Sequence, residues 1–192
     1  MGSRKFSAEG IPDQQLVQGC LEGKEYCQEV LYKRYFSYAM SVCIRYAGNQ
    51  DEAMKAVNDS FMKVLESLEN YDPSKPFKPW YAKILVNTAI DRYRIHFRYR
   101  SKFADEDISE DREPEAEMDM DLAVNDILEL YRHLPEQYRV TFNLYEMDGY
   151  THEEIAQMLG ITVSTSRSNL ARAKKMLREL YRKKFESVSK AP

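Results

Sequence analysis

Residues 150–184 constrain the fold of this chain more than any other stretch, because they read as two helices joined by a sharp turn. Thr151, followed three residues later by Glu154, is a capping box that marks the start of the first helix. Gly160 tolerates the positive φ that a tight turn requires. Apolar and small residues recur three and four positions apart in the second helix, at Val163, Ser166, Leu170, Ala173, Leu177 and Leu180. The pattern predicts a helix-turn-helix, a motif whose second helix enters the major groove of DNA.

The opposite side of this second helix, which we call the reader helix, carries small polar groups followed by cations. Small polar side chains near a helix N-terminus can approach base edges, and cations further along can bind phosphate. The predicted DNA-reading residues are Ser164, Thr165, Arg167, Ser168, Arg172 and Lys175. The alternative interpretation is an ordinary helical hairpin with a solvated basic face.

The net charge of −3 conceals an uneven distribution. Residues 1–100 hold 15 basic and 12 acidic side chains, and residues 122–192 hold 11 basic and 9 acidic ones. Residues 101–121 hold 2 basic and 10 acidic side chains. Two mildly basic blocks are therefore joined by a strongly acidic segment, and the total charge does not argue against a nucleic-acid partner.

Cys20, Cys27 and Cys43 form no C-x-x-C pair, and an odd number of cysteines without a disulfide framework is typical of a reducing compartment. The sequence has no apolar run long enough to cross a bilayer, and its N-terminus lacks the apolar core of a signal peptide. No histidine lies near cysteines or carboxylates at metal-binding spacing, so we predict no metal and no cofactor. These features favour a cytoplasmic protein with no membrane insertion.

The periodicity of the whole chain is helical, and no alternating run predicts a strand. We predict an all-α fold of two small helical domains, residues 12–100 and 122–186, joined by an acidic flexible linker at 101–121. The predicted helices before the helix-turn-helix cover 14–22, 24–46, 51–69, 80–100, 122–134 and 135–147. We expect Asp13 to cap the first of them, and Pro79 to begin the fourth.

A proline-rich loop, residues 71–79, precedes the fourth helix, and we call it the proline loop. Its three prolines within seven residues exclude a helix and stiffen the backbone. Arginines alternate with aromatic residues at the end of the following helix, from Arg92 to Arg100. A rigid pocket for an unstacked base and cations along the backbone are what single-stranded DNA requires. Trp80 fits a core position better than a DNA-binding surface. For residues 92–100 we favour binding to a polyanion over a solvated helix end, because neighbouring cations repel one another unless a polyanion is near.

Both halves together resemble the sigma-70 family. Residues 51–65, D-E-A-M-K-A-V-N-D-S-F-M-K-V-L, and the spaced series Phe77, Trp80, Ile84, Asn87, Asp91 and Arg92 are similar to region 2. Residues 124–184, with L-P-E-Q-Y-R at 134–139, are similar to region 4. Nothing between them resembles region 3, and no long acidic region precedes residue 12. This arrangement of regions is similar to that of the extracytoplasmic-function (ECF) subfamily. The segment Y-E-M-D-G-Y-T-H-E-E-I-A resembles members common in Bacteroidetes-type bacteria.

The resemblance to region 2 implies two roles for the N-terminal half. The helix from Asp51 matches region 2.2, which contacts a coiled coil of the large polymerase subunit. The implied core-polymerase-binding residues are Asp51, Glu52, Lys55, Asp59, Lys63 and Glu66. The proline loop and the next helix match the part that melts the −10 promoter element, with a pocket for a flipped base between residues 75–79 and Asn87. The implied −10 residues are Lys75, Phe77, Lys78, Trp80, Asn87, Arg92, Arg94 and Arg98.

The resemblance implies a sigma factor, which binds core RNA polymerase and directs promoter recognition, DNA melting and transcription initiation. The reader helix matches the −35 reader, and the linker matches the segment that threads toward the polymerase active cleft. The implied partners are core RNA polymerase, promoter DNA as duplex and as melted single strand, and an anti-sigma factor. An enzyme is disfavoured, because the sequence has no nucleophile elbow, phosphate loop or dinucleotide fingerprint. The alternative is a helix-turn-helix regulator that acts without core polymerase, although residues 1–100 show no strand pattern for a receiver domain.

Overall fold

The computed structural model of the chain describes residues 10–102 and 129–186. Within these two ranges the backbone is helical or in turns, and it contains no β-strand. Seven helices have defined bounds: α1 (Asp13–Leu21), α2 (Glu25–Tyr46), α3 (Gln50–Ser67), α4 (Phe77–Lys102), α5 (Glu136–Phe142), α6 (His152–Leu159) and α7 (Val163–Tyr181). A 3₁₀ turn, Leu68–Asn70, follows α3, and π turns extend α5 and α7 over Asn143–Met147 and Arg182–Glu186. The all-α prediction is confirmed.

Packing divides the chain into two compact units. Of the described residues, the first unit contains those up to Cys43 together with Met54–Thr88, and the second contains Ile44–Ala53 together with those from Ala89 onward. Helices α2, α3 and α4 therefore each contribute to both units. The boundaries 12–100, 101–121 and 122–186 describe a division along the chain and stay a prediction. The predicted linker lies outside the described residues except for 101–102, which end α4, and the predicted helix 122–134 is described only from 129, with 129–132 helical.

The core of the first unit combines aliphatic side chains with a cluster of aromatic rings. Leu16, Leu31 and Leu85, one from each of three helices, are completely buried. Phe77 lies at the centre of the rings, with centroid distances of 4.8 Å to Tyr35 and 5.7 Å to Tyr71. Aromatic rings bury large apolar areas and prefer such tilted or edge-on contacts. This cluster fixes the start of α4 against the helices around it.

Two helix starts differ from the sequence prediction. Asp13 is the first residue of α1 and caps no helix; its carboxylate instead accepts hydrogen bonds from Arg34 (2.7 Å) and from the Tyr35 hydroxyl. Helix α4 begins at Phe77, so Pro79 lies inside its first turn. A proline is tolerated there because the first N–H groups of a helix have no intrahelical acceptor. Burial of the Phe77 ring draws the helix start two residues upstream.

The helix-turn-helix lies in the second unit, and its predicted caps are confirmed. The Glu154 N–H donates to Thr151 Oγ1 (3.2 Å), and the Thr151 N–H donates to the Glu154 carboxylate (2.8 Å). Gly160 has a φ of 68°, the left-handed conformation that the turn requires. Thr162 caps α7, because its hydroxyl accepts from the Thr165 N–H at 3.0 Å. These caps set where the reader helix, α7, begins.

A set of buried polar contacts in the second unit holds the C-terminal end of α2. The last carbonyl groups of a helix have no intrahelical donor. Asn143, which is completely buried, donates from Nδ2 to the Arg45 carbonyl at 2.6 Å. Arg139, 4% exposed, donates from Nε to the Tyr46 carbonyl at 3.3 Å. The Tyr46 hydroxyl donates in turn to the Asp148 carboxylate. Side chains about a hundred positions later therefore terminate α2.

Candidate nucleic-acid interface

The proline loop is held in one conformation by its own hydrogen bonds. Asp72 accepts at Oδ1 from the N–H (3.0 Å) and the hydroxyl (2.7 Å) of Ser74, and these two bonds, the hydroxyl first, lower the pKa of Asp72. The Lys75 N–H donates to the Asp72 carbonyl at 3.0 Å. The Tyr71 hydroxyl closes the loop by donating to the Lys75 carbonyl. The prolines restrict φ further, so the loop is ordered before any ligand binds.

Helix α1 supports this loop from outside. The Gln14 side chain donates from Nε2 to the Pro73 carbonyl at 3.0 Å, which joins two residues 59 positions apart. A cavity of about 320 Å³ opens between the loop and α1. It is lined by Asp13, Gln14, Tyr71, Ser74, Lys75, Pro76 and Phe77. The sequence prediction placed Asn87 in this pocket; Asn87 is exposed on α4 and is not among the lining residues, and α1 supplies the opposite wall instead.

The predicted −10 residues around the loop fall into two groups. Lys75 and Lys78 are exposed, Lys75 lying 3.5 Å from Asp72 and the Lys78 ammonium 4.4 Å above the Tyr38 ring. Phe77 is 2% exposed, which corrects its predicted direct contact with DNA: its ring supports the loop from within the core. Trp80 is half-buried against Tyr71 and Phe77, as its core interpretation predicts. Of these four predicted residues, only Lys75 and Lys78 present positive charge to a polyanion.

The C-terminal half of α4 carries the predicted backbone-binding arginines. Arg94 and Arg98 are exposed, and Arg94 lies 3.9 Å from Asp91. Arg92 differs, because it is half-buried and forms an ion pair with Glu52. The sequence assigned these two residues to separate surfaces, one for DNA and one for polymerase.

Aromatic side chains accompany the arginines of α4. Tyr93 is buried and stacks on Phe97, with ring centroids 5.8 Å apart. Phe97 is 48% exposed and Tyr99 is 64% exposed. Exposed rings next to arginines are the arrangement on which unpaired bases stack.

The predicted polymerase-binding residues lie along α3. Asp51, Lys55, Asp59 and Glu66 are exposed, and Lys63 and Glu52 are half-buried. Asn49 caps the start of this helix, because its Oδ1 accepts from the Glu52 N–H at 2.8 Å. A row of charges of both signs on an exposed helix suits a polar and reversible protein contact.

All six predicted reader residues are exposed on α7, as the periodicity requires. Arg172 donates from Nη1 to the Tyr138 hydroxyl at 3.3 Å, and Arg167 lies 3.5 Å from Glu153. Thr165 also shares a 2.8 Å hydrogen bond with Thr162, so its hydroxyl is engaged in the cap. Ser164 and Ser168, near the N-terminal end of the helix, are therefore the best-placed small polar groups for base edges.

Buried polar residues that sequence reasoning missed orient the reader helix. Ser166 is completely buried, and its hydroxyl lies 2.9 Å from His152 Nδ1. The His152 ring stacks on Tyr145, with centroids 4.5 Å apart. Asn169, also buried, lies on the same side of α7. The position of Ser166 on the apolar side was visible in the periodicity, but nothing in the sequence paired it with His152.

The described helices contain no stretch that is long and apolar enough to cross a membrane. Among the same residues no group of three histidine, cysteine or acidic side chains could hold a metal ion. An exposed reader helix with its capped turn and a rigid loop beside a cavity together define an all-α DNA-binding protein.

Comparison with known proteins identifies the family. The description "Sigma-70 region 2" matches residues 31–98, and "Sigma-70, region 4" matches residues 125–177. The ECF RNA polymerase sigma-E factor of Haemophilus influenzae is 29% identical over 184 residues, which cover 88% of this chain and 95% of that protein. The RNA polymerase sigma-H factor of Pseudomonas aeruginosa is 27% identical, with 86% and 91% covered. This chain belongs to the sigma-70 family and, within it, to the ECF sigma factors. The Bacteroidetes-type resemblance stays a prediction.

Membership of this family gives the function in outline. The chain is a sigma factor, which binds core RNA polymerase and directs promoter recognition, DNA melting and transcription initiation. The structure of the sigma factor RpoE in complex with the anti-sigma factor NepR from Bartonella quintana shares the fold, with a TM-score of 0.52 and 23% identity over 83% of this chain and 98% of that one. Action without core polymerase, the alternative function, is not favoured.

Proposed function

We propose that the two surfaces described above divide promoter recognition between them. The proline loop and the exposed cations of α4 contact the −10 element, and α7 reads the −35 element. The observation that carries this proposal is the ordered loop, held by hydrogen bonds from three side chains beside an open cavity of about 320 Å³. A loop that is ordered in the free protein loses less entropy when it binds than a flexible one.

DNA melting requires a protein group that holds a base after it leaves the stack. Flipping a base costs about a few kcal/mol of unstacking energy, least where the strand is already open. The cavity lies at the lower end of the range of about 300–1,000 Å³ that small-molecule pockets occupy. The exposed Lys75 and Lys78 provide positive charge beside it for the phosphates. Arg94 and Arg98 provide further phosphate contacts on α4.

On α7, Ser164 and Ser168 read base edges, and Arg172 and Lys175 bind phosphate. Their order along the helix supports these roles, because the N-terminal residues of a recognition helix contact the bases. The exposed charges of α3, with Asp51 and Asp59 among them, contact core polymerase. We further propose that the protein works in the cytoplasm, without enzymatic activity. An anti-sigma factor regulates it, a proposal supported by the Bartonella quintana complex, in which a sigma factor of the same fold is bound to an anti-sigma factor.

A loosened loop tests the melting role. The double variant Pro73→Gly, Pro76→Gly keeps Phe77 in the core but makes the loop flexible. We expect this variant to bind core polymerase normally and to lose open-complex formation on a linear promoter, measured as permanganate reactivity of −10 thymines. Pro79→Ala is the matched control, because it changes the one proline of the loop that lies within the first turn of α4 and keeps Pro73 and Pro76 in place. Full reactivity in the double variant, with core binding verified, would place melting elsewhere.

A further inference from the structure

The cavity beside the proline loop has a wall that the matched family region does not include. The region 2 match covers residues 31–98, whereas Asp13 and Gln14 belong to α1, upstream of it. Both residues are fixed in place. Asp13 is bound by Arg34 at 2.7 Å and by the Tyr35 hydroxyl, and Gln14 is bound to the Pro73 carbonyl at 3.0 Å. The first helix is therefore a built part of this cavity.

The polar groups of the cavity suit the edge of a base better than a phosphate. Both oxygens of the Asp13 carboxylate are already used, one by Arg34 and the other by the Tyr35 hydroxyl. The Tyr71 hydroxyl is already used on the Lys75 carbonyl. A glutamine carboxamide has two N–H donors and a carbonyl acceptor, so the bond to Pro73 leaves Gln14 with one donor and the acceptor. A donor beside an acceptor is the pattern with which glutamine recognises a base edge.

We propose that Gln14 is a specificity-determining residue that reads the base captured beside the proline loop. This rests on the proposed role of the loop in strand capture. The remaining Gln14 donor faces a ring nitrogen, and its carbonyl oxygen accepts from an exocyclic amino group. The captured base is therefore one whose Watson–Crick edge has an exocyclic amino group beside a ring acceptor, adenine or cytosine.

A competing explanation is that Gln14 only anchors the loop through Pro73. The two roles have different consequences for promoter choice. Loss of an anchor weakens opening of every −10 sequence by a similar factor. Loss of a base contact instead relaxes the preference at one position and leaves the other positions unchanged. Sequence preference, rather than activity on one promoter, therefore separates them.

The experiment uses the full chain bound to core RNA polymerase and a pool of linear promoters randomised across the −10 element. Stable open complexes are isolated from the wild type, from Gln14→Ala and from Gln15→Ala, and their promoters are sequenced. Gln15 is the matched control, because it is an exposed glutamine of α1 that does not line the cavity. We expect wild type and Gln15→Ala to share a preference for adenine or cytosine at one position. In Gln14→Ala that preference should fall at least about fivefold, the lower limit for a bidentate base contact.

Two results would overturn the inference: an unchanged preference in Gln14→Ala, or a uniform loss across all sequences, which indicates anchoring only. Gln14→Glu gives a second reading. This variant keeps an acceptor but loses the donor to Pro73. If Gln14 only anchors the loop, Gln14→Glu should behave like Gln14→Ala at every position. If Gln14 reads the base, Gln14→Glu should retain part of the preference for adenine or cytosine. Helix content, measured by circular dichroism, confirms that each variant folds. The loop variant Pro73→Gly, Pro76→Gly is tested in parallel, and its full activity would refute the proposed loop function rather than the role of Gln14 alone.

Discussion

The hydrogen bond between Tyr46 and Asp148 is expected to be a strong pairwise interaction in the second unit. Tyr46 is 4% exposed, and burial, followed by the Asp148 charge, raises its pKa well above its ordinary value, so that the hydroxyl stays protonated and donates. Asp148→Ala removes the acceptor and leaves this donor buried without a partner. Such a donor costs about 1–3 kcal/mol, and we expect a loss of this size in the free energy of unfolding.

The loss should depend on whether the donor is present. In a Tyr46→Phe background the buried hydroxyl is absent, so Asp148→Ala removes only the Arg45 contact at 3.5 Å. The two changes should therefore be non-additive, with a coupling energy of about 1–2 kcal/mol between them. Urea unfolding of the two single variants and the double variant, followed by far-ultraviolet circular dichroism, measures this coupling.

The control cycle replaces Tyr46 with Tyr26, which is 45% exposed. Tyr26→Phe and Asp148→Ala should be additive within about 0.5 kcal/mol, as for independent sites. If the Tyr46 cycle is equally additive, the buried hydroxyl does not depend on Asp148 and the reasoning from its burial fails.

Three other predictions concern the reader helix, the close approach at Gly19 and the buried Tyr81. Arg172→Ala should weaken duplex binding almost uniformly across −35 sequences and reduce its salt dependence, whereas Ser168→Ala should change the preference at one base pair by about 1–3 kcal/mol; binding titrations at several salt concentrations distinguish the two. Gly19→Ala would place a methyl group inside the van der Waals distance of Cys27 Sγ and 2.9 Å from Cys27 Cβ. We expect it to lower the free energy of unfolding, measured in urea, by about 1–3 kcal/mol, although alanine has the better helix propensity. Burial raises the pKa of Tyr81 to about 12, above the unfolded value of about 10. The stability that this protonated hydroxyl contributes is therefore fully present below pH 10 and is lost as the pH rises through 12. Tyr81→Phe should lack that alkaline loss, and equal pH profiles of the two proteins would contradict it.

The sequence predicted the elements whose causes are local. Periodicity gave the helices, and the Thr151 capping box and Gly160 gave the bounds of the turn, because each of these depends on residues within a few positions. The exposure of the reader residues followed from the same periodicity. The start of α4 was misplaced because it depends on burial of Phe77 among rings from other helices. The hydrogen bond from Gln14 to Pro73 could not be predicted, since the two residues are 59 positions apart.

The ion pair between Glu52 and Arg92 shows why roles assigned along a sequence need the structure. The family resemblance gives Glu52 to polymerase and Arg92 to DNA, two independent contacts on different helices. In the structure their side chains bind each other, and both are only 24% exposed. This ion pair occupies part of the bonding capacity of both groups, because the Glu52 carboxylate has two oxygens and the Arg92 guanidinium has five N–H donors. Replacing either residue therefore also alters the surface to which the other belongs.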